Sequence, residues 1–159
     1  MSVRLSARLS VRSATLVLTA SALAVTGAVV AGAPASAAPA VKHIVAPLSG
    51  LQEVPGPGDA DGKGKGTLDV NATTGEICYV LEVRGIAPAT AAHIHEAARG
   101  VAAGVVQILE PPTSGRSKGC VTNLKVARGI VEAPADYYLN VHNDEFGSGA
   151  VRGQLPGRP

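Results

Sequence analysis

The sequence predicts an all-β fold, a small antiparallel sandwich with one short helical excursion. Three observations point to it. Residues 76–83, EICYVLEV, alternate: Ile77, Tyr79, Leu81 and Val83 leave one side, and Cys78, Val80, Glu82 and Arg84 the other. A period of two marks a half-buried antiparallel strand. Glycine and proline then punctuate the chain at short intervals, and no stretch sustains a 3.6-residue period. The asparagine, threonines and glycine of NATTGE also suit a tight hairpin connection ahead of that strand.

The remaining elements follow in order. Strand-like segments are 43–48, 65–70, 76–83, 90–97, 104–110, 136–143 and 149–155. The helix candidate is 121–133, with Asn123 as its cap, kept short by Gly129 and Pro134. Residues 51–66, LQEVPGPGDADGKGKG, read as a long polar surface segment, either mobile or a binding loop on a rigid scaffold. GKGKG and SGRSKG read as solvated turns. Asn71-Ala72-Thr73 fits a glycosylation acceptor, and the same residues make a good turn.

The N-terminus carries Arg4, Arg8 and Arg12 without an acid, then an alanine-rich apolar run to Ala33 and the small-x-small set Ala35-Ser36-Ala37. This is the pattern of a signal peptide over 1–37, cleaved before Ala38. An uncleaved anchor is the alternative, since about twenty weakly apolar residues reach across a bilayer. The expected order is a leader, a mature N-terminal segment at 38–46, a domain over 47–155 and a tail at 156–159. The whole chain has 14 basic and 12 acidic residues. The leader holds three of the arginines, so the mature part has 11 basic against 12 acidic residues, a net charge of −1. Nucleic acid, which requires a clustered basic footprint, is not an expected partner. Membrane contact is expected only through the transient leader. An extracellular protein or a cell-surface component is the expected partner class, and the location is secreted, with cell-wall association open.

Cys78 and Cys120 both follow the leader, and in an oxidising compartment they are expected to form a disulfide. Closing a loop of that length stabilises by about 4 kcal/mol on a chain-entropy estimate. The bond is expected to pin the helical excursion over the outer face of the sheet.

His93 and His95 stand two apart on one strand and therefore share a face. On 136–143, Tyr137, Leu139 and Val141 read as core-facing, which puts Tyr138, Asn140 and His142 outside. If the two strands are neighbours, three imidazoles converge, and imidazole suits copper, zinc, iron and nickel. Glu96, Asp144 and Glu145 are candidate acceptors for the far ring nitrogens. The alternative is that the histidines hydrogen-bond under a loop and hold the sheet surface. His43 is expected to be exposed, and the two tyrosines to serve packing. Arg152 is expected to pair with an acid or to hold an anion. No serine or cysteine nucleophile has a base and an orienting acid, and no glycine loop leads into a helix as a phosphate site requires.

The blocks LSGLQEVP, GEICYVLEVRGI, TAAHIHEAARG, GCVTN and PADYYLNVHNDEFGSGAVRGQL resemble the CHRD domain family over residues 47 to 155. That resemblance implies an extracellular module more than an activity. A more distant resemblance is to copper/zinc superoxide dismutase. There His93 and His95 match the copper-binding HxH pair, His142 with Asp144 resembles a later segment, and Arg152 lies where a substrate-guiding arginine is sought. This implies a Greek-key β-sandwich, immunoglobulin-like or superoxide-dismutase-like, with copper or zinc as the candidate cofactor. No histidine lies between His95 and His142, so the bridging ligand and the histidine part of a zinc site are missing. Three functions follow as expectations: a non-enzymatic binding module for a protein, a cell surface or a metal ion; a copper-dependent oxidoreductase; or passive envelope structure.

Overall fold

A computed structural model describes residues 41–157. The expected leader and cleavage site lie outside the described residues. Eight antiparallel strands run β1 Val41–Ser49, β2 Lys63–Asn71, β3 Glu76–Arg84, β4 Ala91–Glu96, β5 Val105–Leu109, β6 Arg116–Thr122, β7 Tyr137–His142 and β8 Val151–Gln154. The helix α1 spans Leu124–Glu132 between β6 and β7. Among the described residues, no helix is long and apolar enough to cross a membrane.

The spatial order is β5-β4-β7-β8-β1-β2-β3-β6. The two four-strand halves are joined where β1 meets β8, through the pair Ser49 and Arg152. The chain changes half at β3–β4, β5–β6 and β6–β7, so its order in sequence and in space differ as a sandwich requires. The halves face each other across Ile44, Leu48, Leu68, Leu81, Ile94, Leu139 and Val141, all buried. Leu139 of β7 reaches the backbone of Gly66 in β2, at a place where a β-carbon would collide with it.

Local chemistry explains the elements. Asn71 Oδ1 accepts from the Thr73 and Thr74 amides at 2.9 and 3.1 Å. Gly75 then takes φ +81, a left-handed conformation that favours glycine, and the turn delivers β3. Asn123 caps α1 by accepting from the Val126 amide at 3.2 Å. The helix buries Val126, Ala127 and Ile130 in the core.

Two expectations are corrected. Residues 116–122, read as turn and excursion, form β6 and pair with β3 in the register Cys78 to Cys120. The disulfide between these cysteines therefore staples neighbouring strands, and does not pin α1 over the sheet. The segment after β1 is not a free surface loop. Glu53 turns inward and accepts from Asn140 Nδ2 at 2.6 Å, while the Asp59 amide donates to the Ala150 carbonyl at 2.9 Å. Residues 50–62 are thus clasped onto Asn140 of β7 and onto Ala150, just ahead of β8.

The outer edges of the sheet, β5 and β6, are tied through side chains. The Glu110 amide donates to Tyr79 Oη at 2.8 Å, and Ser117 Oγ donates to the Glu110 carbonyl at 2.7 Å. Asn123 Nδ2 donates to the Val106 carbonyl at 3.3 Å. These bonds draw the sandwich towards a closed barrel, with fewer open edge groups.

Candidate metal centre

β4 and β7 are neighbours, with His95 opposite Tyr138, His93 opposite Asn140 and Ala91 opposite His142. Period two puts all three histidines on the outer face of this half. One ring nitrogen from each lies within 4.8 Å of the other two. His95 is buried, and His93 and His142 are half-buried.

The tautomers follow from the hydrogen bonds. His95 Nδ1 lies 2.9 Å from the Ala103 carbonyl, and His142 Nδ1 lies 3.0 Å from the Gly147 carbonyl. A carbonyl only accepts, so each Nδ1 carries the proton and each Nε2 presents a lone pair. His93 Nδ1 lies 3.1 Å from His142 Nε2 and donates to it when no ion is bound. His95 Nε2 is buried and meets no partner. A buried polar atom without a partner is costly, and here it faces two further imidazoles.

Burial, followed by the neighbouring His142 and His95, pushes the pKa of His93 down to about 4. Burial lowers His95 too, against the raising bonds to Ala103 and Gly104, and lowers His142 against the bond to Gly147. All three rings are therefore neutral at physiological pH, the form that binds a metal. Nitrogens bonded to one tetrahedral ion at about 2.1 Å stand about 3.4 Å apart, a spacing close to that of His93 Nδ1 and His142 Nε2, which are 3.1 Å apart.

The expected acceptors on the far nitrogens are replaced. Glu96 lies on the opposite face of β4 from the histidines, beside Tyr137, whose pKa is raised by burial and by that carboxylate. Asp144 and Glu145 are exposed on the turn after β7. The acceptors are instead the carbonyls of Ala103 and Gly147, which no side-chain pattern announces. His43 is exposed, as expected, and pairs with Asp69 at 2.7 Å.

Arg152 is 1% exposed. Its Nη1 donates to the Val101 carbonyl at 2.9 Å, and Nη2 donates to the Ala98 carbonyl at 3.2 Å and to Gln154 Oε1 at 3.0 Å. The guanidinium carbon lies 3.4 Å from the Tyr138 ring centroid. A group so enclosed by carbonyls and a ring face is not placed to guide an anion from solvent.

A second set, Glu76, Cys78 and Cys120, is also close enough to surround an ion. Its sulfurs are joined in the disulfide and offer no thiolate, the form of cysteine that binds metal.

The family model of the CHRD domain matches residues 44–155, which include every strand from β2 to β8 and all three histidines. The chain belongs to the CHRD domain family. A comparison with curated proteins found no match. The match begins within β1 of this CHRD domain and ends at Leu155. It takes in the segment carrying Glu53 and the 97–104 segment that covers His95.

Proposed function

We propose that this CHRD domain is an exported, non-enzymatic module that binds a transition-metal ion through His93, His95 and His142. The observation that carries the reading is the buried Nε2 of His95, a lone pair with no partner inside a set of three convergent rings. Two of the rings have their tautomer held by backbone carbonyls, an arrangement typical of histidine ligands. Three neutral imidazoles with no thiolate or carboxylate suit copper or zinc. When bound, the ion would supply a Lewis-acidic position open to water or to a donor atom from a partner. The basic leader with its small-residue cleavage pattern, and the disulfide, support an oxidising location outside the cytoplasm.

The copper-oxidoreductase alternative would need a group that draws an anion to the ion. Arg152, the residue suggested for that role, is enclosed instead. Calorimetric titration of the protein with zinc and with copper, beside a His93→Ala/His95→Ala double variant, tests the reading. Stoichiometric sub-micromolar binding that the variant loses is the expected result. Uptake no stronger than the variant's background would overturn it.

A further inference from the structure

Five backbone groups of the segment joining β4 to β5 are held by side chains that project from the outer faces of β4, β7 and β8. Arg152 takes the Val101 and Ala98 carbonyls. Gln154 Nε2 donates to the Ala97 carbonyl at 2.8 Å. The Ala103 amide donates to Tyr138 Oη at 3.2 Å, and the Ala103 carbonyl takes His95 Nδ1. In strand order Tyr138 stands between β4 and β8. His95 stacks on one side of its ring, with centroids 4.6 Å apart and planes 2° from parallel. Arg152 lies against the ring from the β8 side.

From this arrangement we infer that Arg152 and Tyr138 are positioning residues for the metal centre: they fix the 97–104 segment, whose Ala103 carbonyl holds His95 with Nε2 bare and aimed at the other two rings. The inference deepens the metal-binding reading, and only its affinity readout rests on that reading.

The physical argument is one of alternatives. A free neutral imidazole exchanges its proton between the two nitrogens and rotates about its side-chain bonds. His95 is denied both by a carbonyl at Nδ1 and a parallel ring at its face. A carbonyl fixes a tautomer only if it cannot move away, and residues 97–104 form no helix or strand of their own. Their rigidity comes from the guanidinium, which makes two bonds to them in fixed planar geometry. A lysine has one rotatable ammonium and cannot reproduce both bonds and the flat stack. The buried charge thus has a task that its place on a strand conceals: it organises backbone next to a ligand rather than meeting a substrate.

The test pairs Arg152→Lys with Tyr138→Phe, which keeps the ring between His95 and Arg152 and removes only the hydroxyl that meets Ala103. The tautomer of His95 is read from its ring ¹⁵N shifts without metal, and zinc affinity is read by calorimetry. In the wild type, Nε2 should be the unprotonated nitrogen. Both variants should retain the fold by amide NMR, yet populate both His95 tautomers. Zinc affinity should fall by about tenfold or more in Arg152→Lys, the usual scale for loss of a group that orients a ligand, and less in Tyr138→Phe. If Arg152→Lys fails to fold, Tyr138→Phe decides. A folded Tyr138→Phe with wild-type tautomer and zinc affinity overturns the inference. If the wild type takes up neither zinc nor copper, the metal reading falls, and the tautomer of His95 in the variants still decides this one.

Discussion

Glu53 is only 7% exposed, and its nearest fixed partner is the Asn140 amide. Burial pushes its pKa up from 4.5 to about 7, against the lowering influence of Arg152, Asn140 and the Val54 amide. Between those values the folded protein keeps a proton that the unfolded chain has released. The stability from that proton is complete below about pH 4.5 and is lost as the pH rises to about 7, by at most about 3 kcal/mol. His93 acts in the opposite sense. Its pKa falls from 6.5 to about 4, so stability is lost as the pH drops through that window, and His95 and His142 shift in the same direction. Glu53→Gln keeps an acceptor for Asn140 and removes the carboxyl titration. Its urea stability should rise more steeply with pH than the wild type's between about pH 4.5 and 7, because the opposing decline from Glu53 is gone while the gain from the histidines remains. The same slope in variant and wild type would show that Glu53 titrates normally.

Helix α1 has a glycine in its interior, where alanine is ordinarily better by roughly 0.5–1 kcal/mol. At Gly129, however, a β-carbon would stand 2.8 Å from Cζ of the buried Tyr137. Gly129→Ala must displace a packed ring, and should destabilise by about 1–3 kcal/mol. A rise in thermal midpoint would mean that the ring swings clear at little cost. Such contacts also explain which elements were legible in the sequence. β3 announces itself because Ile77, Tyr79 and Leu81 all face the core. β6 does not, because two of its inward positions are Ser117, bonded to Glu110, and Gly119, lying beneath the Tyr79 ring. They are small or polar to suit a partner strand, so no apolar alternation appears. The histidine set was legible for the opposite reason: period two alone puts His93 and His95 on one face, and the same alternation places His142 beside them. The carbonyls that orient the rings have no side-chain signature, and Arg152 looks like any charged residue on a strand. Glu53 finds its partner 87 residues away, a pairing that no local window contains.

At the scale of the molecule, the staple and the histidine set occupy different halves of the sandwich. The disulfide joins β3 to β6, and the histidines lie on β4 and β7. Yet Cys78 and Cys120 are 42 residues apart in sequence, and the chain between them includes β4, β5 and the 97–104 segment. Closing that loop restricts the unfolded chain much more than it shapes the folded one, for β4 is already paired on both sides, by β5 and β7. Replacing both cysteines with serine should therefore lower stability by about 4 kcal/mol, seen as a fall in the urea midpoint. The folded variant should still bind zinc with unchanged affinity. If affinity falls together with stability, the staple is also organising the centre, and the tie from Glu110 to Tyr79 and Ser117 is the physical route from β6 back to β5 and β4.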